Sequence, residues 1–407
     1  MDSSETPVPS GLALTALDQN FRQNPSAVLD VLRSGEPVHK DRMFDRVVLT
    51  SAADVSFALN DRTLSSDPLK SRPGSFSRQI LGIDKDFVPI MLHLDDPDHK
   101  RLRNLVVQAF NVRAVEAIRG QIHQIADRLL DAVAGQSSFD VVEAYAKPLP
   151  TIVIAVMMGV NEKDQESFKR WSDERAHIFN PNRTPEQAKA IVQSLEAISA
   201  YVLKMIEERR NNRGTDLISK LISVEESGEH LTVPEIVNIC NLLIVAGNLT
   251  TTDLLSNGVL ALLQHPDELE RLRRHPELIT TVVEEVLRYD SPVMQVERVP
   301  VQARTISGVN VEAGQTITCS LFAATRDPAV HATPDVFDIA RGYKQHYSFG
   351  GGSHICIGAP LARVEAQVGL STLFQRFPKI RLTPAVPPVR KSVPAFNGLA
   401  SLLVEVG

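Results

Sequence analysis

The sequence predicts a mainly α fold with a minor β region, and three observations support that prediction. Helical periodicity runs with few interruptions from residue 97 to residue 290. Within it, one apolar pattern continues from Thr232 to Gln264, roughly 50 Å at helical rise, which is long enough to cross the whole molecule. Period-two alternation is confined to short segments in residues 35–65 and 299–322.

Composition and charge exclude several classes of protein. The 407 residues are 43% hydrophobic and 23% charged, which is ordinary for a globular protein. A net charge of −6 disfavours nucleic acid and anionic membranes as partners. The first residues lack a basic stretch followed by an apolar one, so we expect a soluble, cytoplasmic protein. Because no repeat or linker divides the chain, we expect one domain over residues 1–407, with residues 1–34 as a lead-in.

The first elements follow from local signals. Residues 46–50 alternate as a strand does, and Ser51 with Asp54 resembles a helix cap before a short helix from Ala52 to Asn60. Residues 62–90 contain several prolines and glycines without a sustained period. We predict a long loop there, and loops of that length are usually functional or disordered.

The helical region, residues 97–290, is expected to be the core of the fold. Breaker residues divide it into separate helices, and Thr232 with Glu235 forms a capping box at the start of the longest one. The middle of that helix, residues 246–252, contains a glycine and three threonines where helix propensity favours alanine and leucine. The predicted interruptions are Gly135, Pro148, Pro181, Gly214, Gly228 and Pro266.

A glycine-rich stretch at residues 349–358 precedes a helix that has Pro360 in its first turn. It is not a dinucleotide fingerprint, because Ile355 occupies the place of the third glycine and no βαβ unit surrounds it. Cys240, Cys319 and Cys356 are odd in number and far apart, which excludes a disulfide framework. Cys356 is either a small structural thiol or a thiolate stabilised by the backbone N–H groups of a helix start.

The residues around this cysteine favour the thiolate. Phe349, Gly352, His354, Cys356 and Gly358 form the pattern FxxGxHxCxG, which resembles the haem-binding loop of cytochrome P450 enzymes. The resemblance implies a cytochrome P450-like single domain with the long central helix over haem b and Cys356 as axial ligand of the iron. Gly352 and Gly358 would let the backbone approach the porphyrin and donate to the sulfur, and Phe349 would shield it. Residues 349–365 would form the haem-thiolate loop and the following helix.

Other sequence motifs that resemble those of the family occur along the chain in the same order as in the family. Glu285 and Arg288 resemble the ExxR pair of the family, which is buried and structural, and Arg341 matches its third member. Taken alone, an ExxR sequence is more often a solvated surface pair.

Haem propionates need cationic or hydrogen-bonding partners. The residues that resemble the partners used in the family are His99, Arg103, Arg298 and His354. Each of them alone is more often a surface charge or a satisfied histidine.

The centre of the long helix resembles the oxygen-activating segment of the family. Ala246, Gly247 and Thr250 match it, and Thr250 is the candidate hydroxyl that manages bound oxygen and orients proton delivery. Gly247 and Thr250 are expected to open the helical hydrogen-bond ladder locally. Leu249 replaces the usual acid and cannot relay a proton. Asp253 lies one turn on as a substitute, with Asn248 or ordered water as alternatives.

The resemblance implies insertion of one oxygen atom from O2 into an apolar organic small molecule. The sequence has no flavin or nicotinamide fingerprint and no iron-sulfur cysteine set, so a separate ferredoxin or flavodoxin with its reductase would supply electrons to a monomer. Lys100, Arg101 and Arg363 form either a docking patch for that donor or a solvated face. By position in the family, the substrate contacts would be Phe179, Leu243, Ala246, Leu249, Val293, Val296, Phe396 and Asn397.

Other functions remain open at this point. A haem-thiolate protein without the relay acid is also compatible with direct use of hydrogen peroxide, with desaturation or with coupling of substrates. A haem-bound sensor or ligand carrier is the non-enzymatic alternative. A carrier without haem would leave the thiolate loop and the basic residues unexplained.

Overall fold

The computed structural model describes residues 8–81, 87, 89–226, 231–342 and 345–407, and it confirms the mainly α fold. The α-helices are α1 (Gln19–Gln23), α2 (Pro25–Gly35), α3 (Ala52–Asn60), α4 (Phe76–Leu81), α5 (Asp98–Val106), α6 (Val112–Glu116), α7 (Arg119–Asp131), α8 (Pro148–Met158), α9 (Gln165–Ala176), α10 (Pro185–Asn211), α11 (Leu217–Glu226), α12 (Val233–Gln264), α13 (Pro266–Arg274), α14 (Ile279–Tyr289), α15 (Leu321–Thr325) and α16 (Ala359–Arg376).

The strands are short. They are β1 (Val38–Asp41), β2 (Arg46–Leu49), β3 (Leu64–Ser65), β4 (Ser138–Asp140), β5 (Gln295–Pro300), β6 (Arg304–Ile306), β7 (Val309–Val311), β8 (Thr316–Ser320), β9 (Ile380–Leu382), β10 (Val389–Arg390), β11 (Leu399–Ser401) and β12 (Leu403–Val406). Single turns of 3-10 helix occur at Gly11–Leu14, Pro68–Lys70, Met91–His93, Val107–Phe110, Glu162–Asp164, His177–Phe179, Pro276–Leu278 and Gly352–His354, and a π-helical turn at Val142–Ala146.

The largest sheet joins the two segments that alternate in the sequence. Its strand order is β1-β2-β8-β5-β3. β2 and β8 are parallel, with Arg46 opposite Thr316 and Leu49 opposite Cys319, while the other pairs are antiparallel. One face of this sheet packs on α3. The cap of α3 is the predicted one, because the Ser51 side chain accepts a hydrogen bond from the Asp54 N–H.

The helical layer is organised around α12. Its N-terminus carries the predicted capping box, in which the Thr232 hydroxyl accepts from the Glu235 N–H and the Glu235 carboxylate accepts from the Thr232 N–H. Among the described residues α12 is the one helix that is long and apolar enough to cross a membrane by length and composition. It packs against α8, α10 and α16 and contributes to the largest apolar core, so it is a core helix.

Two local predictions are wrong. The segment 62–90 is not one loop, because it contains β3, a 3-10 turn capped by Asp67 and the short helix α4, while residues 82–86 and 88 lie outside the described residues. These elements are too short to show a period, and hydrogen bonds from Arg78 to the Ser71 and Leu69 carbonyls help to hold them.

The helical region is also interrupted by a strand, β4, which pairs with β12 from the far end of the chain. Such a long-range pairing leaves no trace in a local period. Gly228, a predicted interruption, lies outside the described residues.

Candidate active site

Cys356 lies three residues before α16, in a position where the backbone favours its thiolate. Its N–H donates to the Phe349 carbonyl at 2.9 Å, which closes the loop, and the N–H groups of Gly358 and Ala359 bond to the sulfur. Cys356 is exposed within a recess, and the protein that surrounds it removes enough water to raise the pKa of its thiol. These N–H groups and two nearby arginines oppose that increase.

The other two cysteines are unsuited to be ligands. Cys240 and Cys319 are fully buried among apolar side chains, and burial raises the pKa of each to about 12. Of the three cysteines, Cys356 is thus the one that an external group reaches.

Two glycines of the cysteine loop, Gly352 and Gly358, occupy their positions for different physical reasons. Gly352 has φ +63°, and a Cβ there would lie 2.1 Å from the Leu59 carbonyl oxygen, so contact with α3 and a left-handed backbone both require glycine. The expectation that Gly352 also serves the approach to porphyrin stays a prediction. Gly358 agrees with the expectation that it donates to the sulfur, because its N–H bonds to the Cys356 Sγ. A Cβ at Gly358 would lie 3.9 Å from that sulfur.

Phe349 is held by a charged network behind the cysteine loop. The Arg363 guanidinium lies over its ring, 4.6 Å from the centroid. Glu284 accepts hydrogen bonds from Arg363 at 2.6 and 3.0 Å and lies 3.0 Å from the His346 ring. Burial alone would raise the pKa of Glu284, but these partners lower it to about 2. A permanent carboxylate therefore fixes the arginine that packs on Phe349.

The ExxR residues form a buried cluster. The Arg288 guanidinium donates to the Glu285 carboxylate at 2.8 and 2.9 Å, and both side chains are 3% exposed. Arg341 lies 3.2 Å from the same carboxylate. Arg288 also donates to the Pro334 and Val336 carbonyls, which ties α14 to the segment before the cysteine loop.

Three of the four predicted propionate partners come together. The His99 and His354 rings stack with centroids 3.9 Å apart. Arg298 is buried and, with His354, lines a cavity of about 560 Å³. Burial and the neighbouring His99 and Arg298 lower the pKa of His354 to about 3, and the pKa of His99 is lowered by burial and by Arg103. The permanent positive charge of this group therefore comes from arginine.

The fourth partner, Arg103, has a different contact. Its guanidinium donates to the Ile355 carbonyl at 2.6 Å, one residue before the cysteine, and its positive charge opposes the increase in the pKa of Cys356. Arg103 thus holds the loop itself.

These residues fit a haem. Across the described ranges no group of three or more His, Cys, Asp and Glu side chains is arranged to hold a bare metal ion. A single accessible thiol suits an iron that brings its other in-plane ligands with it. Buried Arg298 and the stacked histidines supply charge and hydrogen-bond donors for carboxylate groups near that thiol.

The predicted oxygen-activating segment lies in the middle of α12. Ala246 is exposed, and the Thr250 hydroxyl donates to the Ala246 carbonyl at 2.8 Å, which is the predicted back-bond. The helix nevertheless continues without a break through this segment. A Cβ at Gly247 would lie 3.0 Å from Ile154 Cδ1, so this glycine allows α8 to pack closely against α12.

The three residues at and near the position of the missing acid have different surroundings. Leu249 is half-buried. Asn248 is buried and donates to the Ser172 hydroxyl on α9 at 2.7 Å. Asp253 is fully buried and lies 2.5 Å from the Lys391 Nζ. Burial raises the pKa of Asp253 to about 6 despite the opposing effect of Lys391.

Predicted substrate contacts from distant segments meet around Phe396. Its ring packs edge-on against Phe179 with centroids 4.8 Å apart, and its backbone bridges to Val293. The Asn397 amide is instead bonded to Asp290 and Arg390, which gives it a structural use. The remaining predicted contacts lie on α12 and β5: Leu243, Ala246, Leu249 and Val296.

Two of the three residues of the predicted docking patch are in ion pairs within the chain. Arg101 pairs with Glu235 at 2.5 Å and Arg363 pairs with Glu284, while Lys100 is exposed. Each arginine remains positively charged, but its carboxylate partner offsets that charge. The net charge of the patch is therefore lower than the sequence suggests.

The sequence analysis missed Glu284, His346, Ser172 and Lys391. The one sequence signal for Glu284 is that it stands next to Glu285. That position does not assign it to the same cluster, since consecutive helical residues face different directions. The partners of the other three lie 62 to 138 residues away along the chain, so no local pattern identifies them.

Comparison with known proteins shows that this chain is similar to cytochromes P450. The family model for cytochrome P450 matches residues 45–392. A relative from Bacillus subtilis (strain 168), the polyketide biosynthesis cytochrome P450 PksS, is 38% identical over 95% of this chain and 97% of its own. The 6-deoxyerythronolide B hydroxylase of Saccharopolyspora erythraea is 38% identical over 86% of this chain and 88% of its own.

A solved structure agrees with these relatives. P450BioI in complex with acyl carrier protein that is ligated to hexadec-9Z-enoic acid is 35% identical, with a TM-score of 0.85 over 95% of this chain and 99% of that one. The likeness therefore extends over nearly all of both chains.

Proposed function

The chain belongs to the cytochrome P450 family and is a monooxygenase, and we propose that it inserts one oxygen atom from O2 into a C–H bond or across a C=C bond of an apolar organic molecule. The observation that supports this most directly is the accessible Cys356 thiol, which accepts two backbone hydrogen bonds, together with the α12 segment that exposes Ala246 and carries the Thr250 hydroxyl. Haem, in its b form, would be the resident cofactor.

Haem when bound supplies the iron at which O2 is activated. Cys356 would ligate that iron, and the N–H groups of Gly358 and Ala359 would hold the sulfur as a thiolate. Phe349, fixed by Arg363, would exclude water from the sulfur. Arg298, His99 and His354 would bind the carboxylates of the cofactor.

On α12, the Thr250 hydroxyl would hold a proton for the oxygen chemistry. In the structure this hydroxyl donates to the Ala246 carbonyl, so it would rotate to donate elsewhere during turnover. Because Leu249 cannot supply a proton, the proton would reach Thr250 from ordered water or from Asp253.

The substrate would be apolar and of polyketide or fatty acyl type. Phe179, Leu243, Val293, Val296 and Phe396 offer a mostly apolar lining. The names of the relatives support this class, since they include a polyketide biosynthesis enzyme and a hydroxylase of 6-deoxyerythronolide B, and one solved relative holds an acyl carrier protein.

A separate ferredoxin or flavodoxin, with its reductase, would deliver the electrons to a cytoplasmic monomer. Lys100 and the paired Arg101 and Arg363 would form the face that attracts an acidic donor. Residues 1–407 would form one haem-thiolate domain, which would carry the oxygenase reaction.

Direct use of hydrogen peroxide is a second candidate, and Leu249 is the observation that favours it. An enzyme supplied with peroxide needs less proton delivery than one supplied with O2 and electrons. Product formation with peroxide alone, compared with product formation with O2 and a reduced ferredoxin, separates the two functions.

The first experiment is the spectrum of the reduced, carbon monoxide-saturated protein. We expect a strongly red-shifted Soret band in the parent and in Cys240→Ala, and none in Cys356→Ala, because only Cys356 offers an accessible thiolate. An imidazole-type band that survives in Cys356→Ala would contradict the assignment of the ligand and with it the proposed chemistry.

A further inference from the structure

A buried ion pair joins the oxygen-activating helix to the C-terminal part of the chain. The Lys391 Nζ lies 2.5 Å from Asp253 Oδ1, and the two side chains are 17% and 0% exposed. Among the described residues the second oxygen, Asp253 Oδ2, has no hydrogen-bond partner. Removing a charge from one side of such a pair leaves the other buried and unpaired, so both positions are under constraint.

Lys391 belongs to the segment 391–398, which links β10 to β11 and is called here the Phe396 loop. The Lys391 N–H donates to the Gly398 carbonyl at 2.9 Å and closes the base of this loop. A Cβ at Gly398 would lie 1.9 Å from Asp253 Oδ1, so the carboxylate fills the space that a side chain would need. The Phe396 loop is therefore fitted to Asp253 by both charge and shape.

A second polar cluster fixes the same loop from the other side. Asn397 donates to Asp290 Oδ1 at 2.6 Å and accepts from Arg390, which in turn bonds to Asp290 Oδ2 at 3.0 Å. Asn257, one turn beyond Asp253 on α12, donates to the Asn397 carbonyl at 2.7 Å. Both clusters thus anchor the loop to α12 and to the residue that follows α14.

Between these anchors the loop presents Phe396. Its ring contacts Phe179, in the turn between α9 and α10, and its backbone bridges to Val293. The neighbouring Ala395 carbonyl accepts from the Met294 N–H at 2.9 Å. The tip of the loop is thus held to Phe179 and to residues 293–294, while the anchors at residues 391 and 397 connect the loop that carries the ring to α12.

We propose that the Asp253–Lys391 ion pair is a positioning device that sets the distance between the Phe396 loop and the oxygen-activating helix, and so determines which bulky substrates fit. The inference rests on the proposed haem-thiolate function, because Phe396 faces substrate only in that context. Asp253 and Lys391 are positioning residues in this scheme, and they touch neither the substrate nor the oxygen. A buried ion pair is directional, and in some proteins such pairs select one packing geometry over others.

The test measures binding of two azoles of different size to the haem-loaded protein. Imidazole is small, whereas clotrimazole carries a bulky triphenylmethyl group, and both report binding through a shift of the Soret band. We expect Lys391→Met to weaken clotrimazole binding by about tenfold and to leave imidazole binding unchanged. Lys204→Met is the matched control, since Lys204 is exposed and forms a long ion pair of 3.8 Å with Glu208 on its own helix. It should change the binding of neither azole.

Three further variants separate positioning from proton delivery. Gly398→Ala keeps both charges but displaces the Asp253 carboxylate, and it should reproduce the loss of clotrimazole binding. Asp253→Asn should have the same effect as Lys391→Met, and the double variant should show no additional loss. If Asp253 is instead a proton relay, Asp253→Asn alone will raise peroxide release while azole binding stays normal in every variant, and the inference is overturned.

The outcomes also distinguish this inference from the proposed function. If the parent protein shows no azole-induced shift, the haem-thiolate function itself fails. If the parent binds both azoles normally and Lys391→Met binds clotrimazole as the parent does, only the positioning role is refuted. A variant that loses imidazole and clotrimazole binding equally would likewise contradict a role limited to bulky ligands.

Discussion

The two sides of the proposed haem site are built in different ways. On the cysteine side, the ligand, its hydrogen bonds and its aromatic neighbour all come from residues 349–359. On the α12 side, the helix provides Ala246 and Thr250, but Asn248 and Asp253 are bound to groups 76 and 138 residues away. In the proposed site, the groups that would ligate the iron are therefore adjacent in sequence, whereas those that would handle oxygen and substrate depend on tertiary contacts.

The difference has a physical cause. A thiolate needs nearby N–H donors, and a tight loop before a helix supplies them from consecutive residues. Binding of an apolar substrate needs surfaces on several sides at once, and one helix presents only one face. The groups around Cys356 are local, but the loop that carries them is tied to α14 by the Glu285 cluster, so changes in that cluster should affect stability. On the α12 side, a change in one positioned group should affect the chemistry.

The largest expected effect is on stability and comes from the cluster that supports the cysteine side. Arg288→Met should reduce the free energy of unfolding by about 3–5 kcal/mol, because it leaves the Glu285 carboxylate buried without its main partner. Urea unfolding measures the loss. Arg274→Met is the control. Arg274 is 66% exposed and its ion pair with Glu270 is long, at 4.0 Å, so its loss should change stability little.

A smaller effect, on chemistry instead of folding, is expected from Thr250. Thr250→Ala should lower the yield of product per O2 consumed by about 100-fold and raise peroxide release, because no side-chain hydroxyl remains at that position to hold a proton. Thr250→Ser keeps the hydroxyl and should stay near the parent. Equal coupling in Thr250→Ala and the parent would show that this hydroxyl has no part in proton delivery.

The smallest effect is a pH dependence from the network behind Phe349. The pKa of Glu284 is about 2, below its ordinary value of 4.5, so its charged form contributes stability above about pH 4.5 that is lost as the pH falls towards 2. Glu284→Gln should therefore be less stable than the parent by about 1 kcal/mol at pH 7, with a difference that shrinks below pH 4.5. Thermal unfolding across this range measures it.

The control for that prediction is Glu277→Gln, because Glu277 is an exposed glutamate near the start of the same helix. It should show little difference from the parent at any pH. A stability difference for Glu284→Gln that stays constant from pH 7 to pH 2 would contradict the assigned role of the carboxylate charge.

Much of the fold could be predicted because local signals were strong. The capping box at Thr232, the cap at Ser51 and the proline in the first turn of α16 all stand where the sequence places them. The short helices in residues 62–90 and strand β4 were missed, since neither has enough residues to show a period. Strand β4 is held by pairing with β12, which is a contact between distant parts of the chain.

The sequence by itself determined the helical core, the loop that holds Cys356 and the family to which the chain belongs. These depend on residues that lie within a few turns of one another, so their spacing is visible in the chain. Only the tertiary structure decided that Gly247 serves packing on Ile154, that Arg363 is bound to Glu284 and that Asp253 faces Lys391. Burial and charge pairing arise where distant segments meet, and no local pattern in the sequence reveals that meeting.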